Sequence, residues 1–120
     1  MQTFRFLDWR VYQDSKLLFF DILQLTKKLK ASHDFEISNQ LVRSTLSISL
    51  NIAEGSGKHS DKELNRFFNI AIGSINETVA IIDILHHNKL ITEQEFKTFT
   101  EKLGKIANQL GGFKKKLKSL

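Results

Sequence analysis

Proline and cysteine are both absent from this chain of 120 residues, and glycine occurs only six times. Without proline, no helix has to be interrupted by a missing backbone N–H, and few glycines leave few tight turns. Because leucine, isoleucine and phenylalanine are abundant, this composition favours long helices over a sheet rich in turns. The lack of cysteine excludes a disulfide framework, a thiolate nucleophile and a thiolate metal site.

Long apolar runs are missing as well. The longest have four residues, as at 17–20, whereas a helix that crosses a membrane needs about 20. The N-terminus also lacks the charged and apolar regions of a secretory signal. We therefore expect a cytoplasmic protein that makes no membrane contact.

Basic residues outnumber acidic ones, with 18 against 13, which gives a net charge of +5 and a pI near 9.6. Such an excess permits binding to a polyanion such as RNA or DNA. It is equally compatible with a soluble protein whose surface is modestly basic. The length suits a single domain, residues 1–120, and is short for two.

Apolar residues in four segments alternate at spacings of four and three, which predicts helices packed along a common seam. The first seam includes Leu18 and Ile22, and the last and cleanest includes Leu103 and Leu110. The predicted helices cover approximately residues 8–30, 39–54, 61–88 and 93–118.

Local signals agree with these helix starts. Asp8 and Ser38 are suitable N-caps, and the segments SDKE and TEQE, which begin at Ser60 and Thr92, match the capping box. Connections of roughly four to eight residues favour neighbouring helices that run in opposite directions. The sequence thus predicts an all-α fold, an antiparallel up-and-down four-helix bundle. The alternative is a helical hairpin pair that is completed only in an oligomer.

The segment QLVRSTLSISLNIAEG, residues 40–55, is apolar around most of its circumference. Such a helix should be central in the bundle, and Gly55 at its end fits a left-handed C-cap. Its narrow polar stripe is either the solvent face of the helix or, since the rest of the helix is so apolar, a seam that faces other subunits or a central channel. The stripe consists of Gln40, Arg43, Ser47, Asn51 and Glu54.

Two further features suggest contacts outside the core. Leu17 and Phe20 share a helix face with Gln13 and Gln24, where a monomer would leave them in water, and this indicates a subunit interface. Isolated exposed apolar residues without a role are the alternative. Gly73 lies in the middle of the third helix, where it costs about 1 kcal/mol relative to alanine. We expect a neighbouring helix or backbone to approach it closely.

The best enzyme-like motif fails its tests. The segment GSGKH, residues 55–59, would need glycine in place of Ile52 and serine or threonine in place of His59 to be a Walker A loop. Glu54 and Glu77 are flanked by apolar sequence, but no nucleophile or base accompanies them. We expect a protein without catalytic residues.

The histidines do not form a metal-binding pattern. His86 and His87 are adjacent, so on a helix they point about 100° apart and cannot bind one ion together. Placed near a helix C-terminus, they complement the helix dipole instead. We expect no metal and no cofactor.

The distribution of charge gives the best clue to function from residues alone. Residues 92–120 hold seven lysines against three glutamates, on a helix that exposes most of its surface. Such a cluster suits phosphate backbones, although a solubilising lysine tail has the same pattern. The lysines concerned are Lys102, Lys105, Lys114, Lys115, Lys116 and Lys118.

Paired motifs on the second and third helices resemble those of a known family. The first motif comprises Gln40, Leu41, Arg43, Ser47 and Ile48, followed by NIAEG at 51–55. The second comprises Ser60, Glu63, Phe67 and Phe68, followed by IAIGSINE at 70–77. Over nearly its whole length the chain resembles the bacterial S23-like family of four-helix bundles, which includes proteins encoded by intervening sequences within 23S ribosomal RNA genes. It is also similar to accessory proteins of diversity-generating retroelements.

The resemblance implies a homopentamer of four-helix bundles without enzymatic activity, and with such a pentamer in view we interpret the polar stripe of the second helix as a seam that faces other subunits or a central channel. It further implies RNA or DNA as a partner, and a reverse transcriptase or another protein, because the retroelement accessory proteins bind both. By position it assigns nucleic-acid contacts to Arg43, Lys58 and Arg66, while Val42 stands where a second basic residue is common in the family. A scaffolding module that binds only protein is the alternative function. The residues assigned to subunit contacts or to the structural motif are Leu17, Phe20, Gln40, Ser47, Asn51, Glu54, Gly55, Gly73, Ser74 and Glu77.

Overall fold

The computed structural model describes residues 3–117, which form helices joined by short connections. A 3₁₀ turn at Arg5–Asp8 leads into four helices, namely α1 (Arg10–Ala31), α2 (Phe35–Ser56), α3 (Asp61–His87) and α4 (Glu93–Lys115). No strand occurs within the described residues. The prediction of an all-α, antiparallel four-helix bundle is confirmed.

The order of packing follows the order of the sequence. Each helix packs on the next, and α4 closes the bundle by returning to α1. The contact between α2 and α3 is the most extensive, and that between α1 and α4 is the smallest. Because α1 is not packed against α3, nor α2 against α4, in the described chain, these pairs lie on the diagonals. The α1/α4 side of the bundle is therefore opposite the α2/α3 side.

The core lies between the four helices and is built from the predicted seams. Its fully buried side chains include Ile22 of α1, Leu41 and Ile52 of α2, Phe68 of α3 and Leu103 of α4. Full burial of a side chain of this size stabilises the folded state by about 1.5–3 kcal/mol. Burial of the four apolar faces against one another is thus the main force that holds the bundle together.

Two helices begin at residues other than those predicted. The link from α1 is so short that α2 begins at Phe35 instead of residue 39. Ser38 is consequently buried within the first turn of α2, where its hydroxyl donates to the Asp34 carbonyl at 2.6 Å. α1 begins at Arg10, after the 3₁₀ turn that contains Asp8, and no side chain caps it. Ser38 and Asp8 are therefore not N-caps.

The links after α1 and α3 are short because each turns at a left-handed residue that is not glycine. His33 has φ of 67° and Lys89 has φ of 60°. In both turns the N–H of the following residue bonds a carbonyl five residues back, at 2.9 to 3.0 Å. This pattern satisfies the last carbonyls of a helix, although a side chain in this conformation costs roughly 1 kcal/mol or more.

Gly55 does not act as the predicted left-handed cap. α2 continues through it to Ser56, and the C-cap is Gly57, which has an ordinary right-handed conformation. Gly55 is buried, and a Cβ added to it would lie 2.9 Å from the Phe67 Cβ and 3.1 Å from the Leu64 Cδ1. The residue is glycine because α3 passes too close to α2 here for any side chain.

Gly73, unlike Gly55, has open space beside it. It lies on the exposed side of α3, and no atom of the described chain would come within 4 Å of an added Cβ. The prediction that a neighbouring helix or backbone of the same chain approaches it is therefore wrong. Gly111 and Gly112 also have open space beside them, and α4 runs through both to Lys115, three residues short of the predicted end.

α3 is long and apolar enough to cross a membrane by length and composition, and it is the one such helix among residues 3–117. Core helices of soluble proteins pass the same test. In this bundle the apolar side of α3, including Phe68, Ile75 and Ile82, is buried against the other helices.

Candidate nucleic-acid interface

The topology brings the start of α1, the end of α2, the start of α3 and the end of α4 to one end of the bundle. The segments at this end, residues 3–10, 56–69 and 112–117, contain eight cations and only three acids. We call this set of cations the basic end. It consists of Arg5, Arg10, Lys58, Lys62, Arg66, Lys114, Lys115 and Lys116.

Phe67 holds two of these cations in place. The Lys58 ammonium lies 4.9 Å from the centre of its ring and the Arg66 guanidinium 4.5 Å from it. Phe67 is itself nearly buried, and it packs directly on Gly55. Cation–π attraction at such distances contributes about 0.5–1 kcal/mol at an exposed site. Lys58 and Arg66, which the family resemblance selected separately, are therefore brought together by one aromatic ring.

The lysines at the end of α4 reach the same region. The Lys114 ammonium donates a hydrogen bond to the Asn69 side-chain oxygen of α3. Lys116 lines a surface cleft together with Arg10 of α1, and Trp9 and Phe113 line the same cleft. The predicted sites on α4 and on the α2–α3 connection thus belong to one surface.

Arg5 belongs to this surface although no pattern in the sequence singled it out. Its Nε donates to the Ser56 carbonyl at the end of α2 at 3.0 Å, and its guanidinium lies 5.2 Å from the centre of the Trp9 ring. The same end includes Arg10 and Lys62, which also went unselected. No local motif marks these residues, because only the fold places the N-terminal segment beside the end of α2.

Three other predicted cations lie elsewhere. Lys102 is midway along α4 and forms an ion pair with Asp21 of α1 at 2.6 Å. Lys105 lies one turn further on, beside the exposed Leu17 and Phe20 of α1. Arg43 is exposed in the middle of α2, several turns from the basic end. Lys118 lies outside the described residues.

The polar stripe of α2 is engaged largely within the chain. Its Gln40 amide donates to the Glu77 carboxylate at 2.8 Å, and the hydroxyls of Ser47 and Ser74 are 2.8 Å apart. The Asn51 amide donates to the carbonyl and the hydroxyl of Ser47. The Gln40–Glu77 and Ser47–Ser74 bonds tie α2 to α3 along their outer edge, whereas the Asn51 bonds lie within α2.

Beneath this edge the same two helices are joined by a buried bond of 2.9 Å from the Thr78 hydroxyl to the Ser44 hydroxyl. Arg43 and Glu54, the remaining members of the polar stripe, are exposed. The family motifs on α2 and α3 thus meet each other in the fold.

The two apolar side chains singled out on α1 are exposed, as expected for a monomer. Leu17 is 66% exposed and Phe20 is 60% exposed. They line a groove of about 350 Å³ between α1 and α4, which also includes Lys102 and Lys105. α1 and α4 have the smallest contact of any neighbouring helices, so the side of the bundle that carries this groove is the least closely packed.

The histidines and carboxylates at the opposite end connect helices. The His86 Nε2 atom of α3 lies 2.7 Å from the Glu93 carboxylate of α4, and its ring stacks on Phe96 at 4.4 Å. Within residues 3–117, no group of three histidine, aspartate or glutamate side chains is arranged to hold a metal ion.

Glu95 is also part of this opposite end. Burial acts to raise the pKa of its carboxyl, but the hydrogen bond from Lys28 of α1, together with those from Thr92, leaves the pKa below its ordinary value. The Lys28 ammonium lies 2.8 Å from the carboxylate. A charged Glu95 therefore joins α1 to the start of α4.

A family model for the 23S rRNA-intervening sequence protein matches residues 7–112. The fold also matches a crystal structure, at 1.70 Å resolution, of a protein with unknown function from the S23 ribosomal protein family of Bacteroides thetaiotaomicron VPI-5482. That match has a TM-score of 0.83 and 27% sequence identity, and it covers 88% of this chain and 98% of the other. No curated protein matches the chain. Since the family model covers most of the sequence, this chain belongs to the 23S rRNA-intervening sequence protein family.

Proposed function

We propose that this protein is a non-enzymatic homo-oligomer that binds RNA or DNA through the phosphate contacts of its basic end. The observation that carries the proposal is the convergence of eight cations from three separate segments on that one end. A pentamer is the assembly that the family resemblance suggests. The role that fits such a protein is that of an accessory factor for a nucleic acid or for an enzyme that acts on one.

The cations of the basic end are available to phosphates because few of them are neutralised by carboxylates. Lys58 and Arg5 are held by aromatic rings, and Lys114 is held by a neutral amide. Arg66 does bond Glu63, at 3.0 Å, and Arg10 lies 3.8 Å from the Asp14 carboxylate, but both arginines are exposed. Exposed pairs of this kind contribute less than about 1 kcal/mol and can be exchanged for a phosphate.

The contacts expected from such a surface are independent of base sequence. Lysine and arginine contacts to phosphates position a protein on a nucleic acid, whereas base edges carry the sequence information. Binding should weaken steeply with salt, because each phosphate contact releases a condensed counterion. We expect similar affinity for duplexes of unrelated sequence.

Two matched triple variants test the proposal. Lys114, Lys115 and Lys116 are changed to glutamine in the first, and Lys27, Lys30 and Lys97, which are exposed towards the opposite end, in the second. Both variants lose the same charge. Affinity for duplex DNA and RNA of mixed sequence is then measured by fluorescence anisotropy between ~50 and 200 mM salt.

Only the first variant should lose affinity, and the slope of log affinity against log salt should fall by up to about 2.7 for duplex DNA. An equal loss of affinity in both variants would mean that binding depends only on the net charge of the protein. That result would contradict a specific role for the basic end. Binding that is tight and insensitive to salt would contradict phosphate contacts altogether.

Self-association is measured on the purified protein by light scattering, together with its absorbance ratio at 260 and 280 nm, before and after high salt. If the protein self-associates, the mass of the purified protein should be several times that of the 13.8 kDa chain. If nucleic acid copurifies with the protein, the ratio of absorbance at 260 nm to that at 280 nm should be raised and should fall after high salt.

A scaffolding module that binds only protein is the second candidate, and the exposure of Leu17 and Phe20 favours it. In that case the lysines only keep the protein soluble. Nucleic acid would then not copurify, while changing Leu17 and Phe20 to glutamate would yield monomers.

A further inference from the structure

The surface cleft at the basic end has an aromatic wall. This cleft, of about 570 Å³, opens between the start of α1 and the end of α4, and its lining includes Trp9 and Phe113. The centres of these two rings are 4.8 Å apart, and Phe113 also packs on the fully buried Phe68 at 4.9 Å. Trp9 and Phe113 themselves are only partly buried. The core thus holds two rings in place while part of their surface borders the cleft.

Gly112 keeps the cleft open beside Phe113. It is one of the lining residues, and a Cβ added to it would meet no other part of the described chain within 4 Å. A glycine inside a helix is destabilising relative to alanine. The close packing that requires Gly55 is not present at Gly112, so packing within the chain does not explain this glycine. Access to the aromatic wall gives it a reason.

The charges of the cleft suit a nucleotide better than a bare anion. Arg10 and Lys116 are its cations, and the Arg10 side chain is 75% exposed. Asp8 lines the same cleft as a carboxylate. The neighbouring Asp14 carboxylate accepts a hydrogen bond from Gln109 at 2.7 Å and lies 3.8 Å from the Arg10 Nε. A free phosphate would be repelled by these carboxylates, whereas a base can donate N–H groups to Asp8 while its flanking phosphates lie on the cations.

The surroundings of the cleft can accommodate a strand that continues beyond one nucleotide. Lys115 is exposed next to Lys116, and Lys114 extends the row of cations towards α3. Arg5 lies over the Trp9 ring at 5.2 Å but does not line the cleft, so it leaves another part of the indole open. Proteins that bind single strands combine such a basic surface with aromatic side chains on which bases stack. Bases inside a duplex are already stacked on one another and cannot reach these rings.

We infer that this cleft takes an unpaired base of a single-stranded nucleic acid. The base packs on Trp9 and Phe113, and Arg10 and Lys116 contact the phosphates on either side of it. This inference rests on the proposed binding of nucleic acid at the basic end, and it adds the class of nucleic acid, namely one with unpaired bases. Every base has a π-face, so the preference is for single strands and not for a particular sequence.

The fluorescence of Trp9 tests the inference without any change to the protein, because Trp9 is the single tryptophan of the chain. The protein is titrated with a short single-stranded DNA of mixed sequence, with the same DNA as a duplex, and with an abasic strand of equal length. The abasic strand keeps the phosphates and lacks the bases.

The single strand should quench Trp9, and it should bind more tightly than the abasic strand by at least about fivefold, the effect of one stacked base. The duplex should bind through its phosphates without quenching. Equal affinity for the normal and abasic strands, or equal quenching by the duplex, would overturn the inference.

A mononucleotide distinguishes a strand from a free nucleotide. It should bind much more weakly than the single-stranded DNA, since it lacks the phosphates that reach the neighbouring lysines. A mononucleotide that binds as tightly as the strand would make the cleft a nucleotide site and would contradict the inference.

A variant that fills the cleft provides a second test. Gly112→Leu adds a side chain where the structure has open space, and it removes no charge. Gly104→Leu is the matched control, since Gly104 is also exposed on α4 with open space beside it and does not line the cleft. Both variants should retain the helical circular dichroism and the cooperative unfolding of the wild type.

Only Gly112→Leu should abolish the quenching and reduce the affinity for the single strand to that for the abasic strand. Its affinity for the duplex should not change. Full quenching by the single strand in Gly112→Leu, or the same loss in Gly104→Leu, would contradict binding of a base in the cleft.

The outcomes separate this inference from the proposed function. If neither the duplex nor the single strand binds, the proposed function itself is wrong. If both bind with the salt dependence of phosphate contacts, while Trp9 is not quenched and Gly112→Leu has no effect, only the inference of a base in the cleft is wrong.

Discussion

The two ends of the bundle use charged residues for different purposes. At the basic end, cations from three segments are held by aromatic rings, a backbone carbonyl and a side-chain amide, and the two ion pairs, Arg10–Asp14 and Arg66–Glu63, each lie within one helix. At the opposite end, a lysine and a histidine face carboxylates across helix boundaries. There the Lys28 ammonium is 2.8 Å from the Glu95 carboxylate, and the His86 Nε2 atom is 2.7 Å from the Glu93 carboxylate.

This difference indicates which charges serve the fold and which are left for a partner. A cation paired with a carboxylate adds little to the electrostatic potential around the protein, and a pair between two helices helps to hold them together. A cation held over a ring keeps its full charge and remains open to a phosphate. The opposite end therefore fastens the bundle, while the basic end presents an electrostatic surface.

The largest effect is expected at Gly55, which packs against Phe67 at the basic end. Gly55→Ala would place a methyl group 2.9 Å from the Phe67 Cβ, so α2 and α3 must separate slightly. We expect the free energy of unfolding to fall by about 1–3 kcal/mol. Urea denaturation measures this change. The control Gly112→Ala, in the same half of the bundle, has open space and should not destabilise; an equal loss in both would contradict the close approach.

A smaller effect should distinguish the caps at the two ends. At the opposite end, Thr92 and Glu95 form a complete capping box, with bonds of 3.0 and 2.8 Å. At the basic end, Ser60 accepts a bond from the Glu63 N–H at 3.2 Å, but the Glu63 carboxylate bonds Arg66 instead. We expect Thr92→Ala to cost about 1 kcal/mol and Ser60→Ala about half as much.

Thermal or urea unfolding of both alanine variants measures these costs. Thr92→Ser should recover most of the stability, since serine offers the same hydroxyl. Thr92→Ala removes only the hydroxyl bond, because the backbone N–H of residue 92 still donates to Glu95. If Ser60→Ala costs as much as Thr92→Ala, closure of the box does not strengthen the hydroxyl bond of Thr92, and the difference between the two caps has no energetic meaning.

The smallest effect is a dependence on pH at the opposite end. The pKa of Glu95 is lowered in the folded state, so its stabilisation is present above the ordinary carboxyl pKa and is lost as the pH falls through the lowered value. Wild type should therefore lose slightly more stability than Glu95→Gln when the pH falls from about 5 to about 3, by less than about 1 kcal/mol.

Unfolding free energies of wild type and Glu95→Gln at both pH values measure this difference. Glu101→Gln is a suitable control, because Glu101 is exposed on the same helix away from Lys28. Parallel pH curves for wild type and Glu95→Gln would contradict a role for the Lys28–Glu95 pair.

Much of the fold followed from local patterns. The apolar seams predicted all four helices, and the capping box at Thr92 placed the start of α4 correctly. The start of α2 was wrong because Ser38 is a good N-cap by type, whereas the chain turns earlier at the left-handed His33. Histidine rarely adopts the left-handed conformation, so a histidine at this position does not predict a turn in the way that a glycine would.

The candidate site was predictable only in parts. Lys58 and Arg66 came from the family motif, and Lys114 to Lys116 from the charge of the last helix. Arg5, Arg10 and Lys62 were missed, while Lys102 proved to be paired with Asp21 in the middle of the bundle. Such contacts were not predicted because they join residues that are far apart in the chain. Arg5, for example, bonds a carbonyl 51 residues away.

The sequence by itself determined the class of fold, because helix periodicity and the burial of apolar seams depend on residues only three or four positions apart. It also determined the excess of positive charge. Only the tertiary structure decided that Gly55 is enclosed and Gly73 open, and that eight scattered cations share one end. The physical reason is that these properties arise from the antiparallel packing of helices, which brings together residues that are distant in the chain.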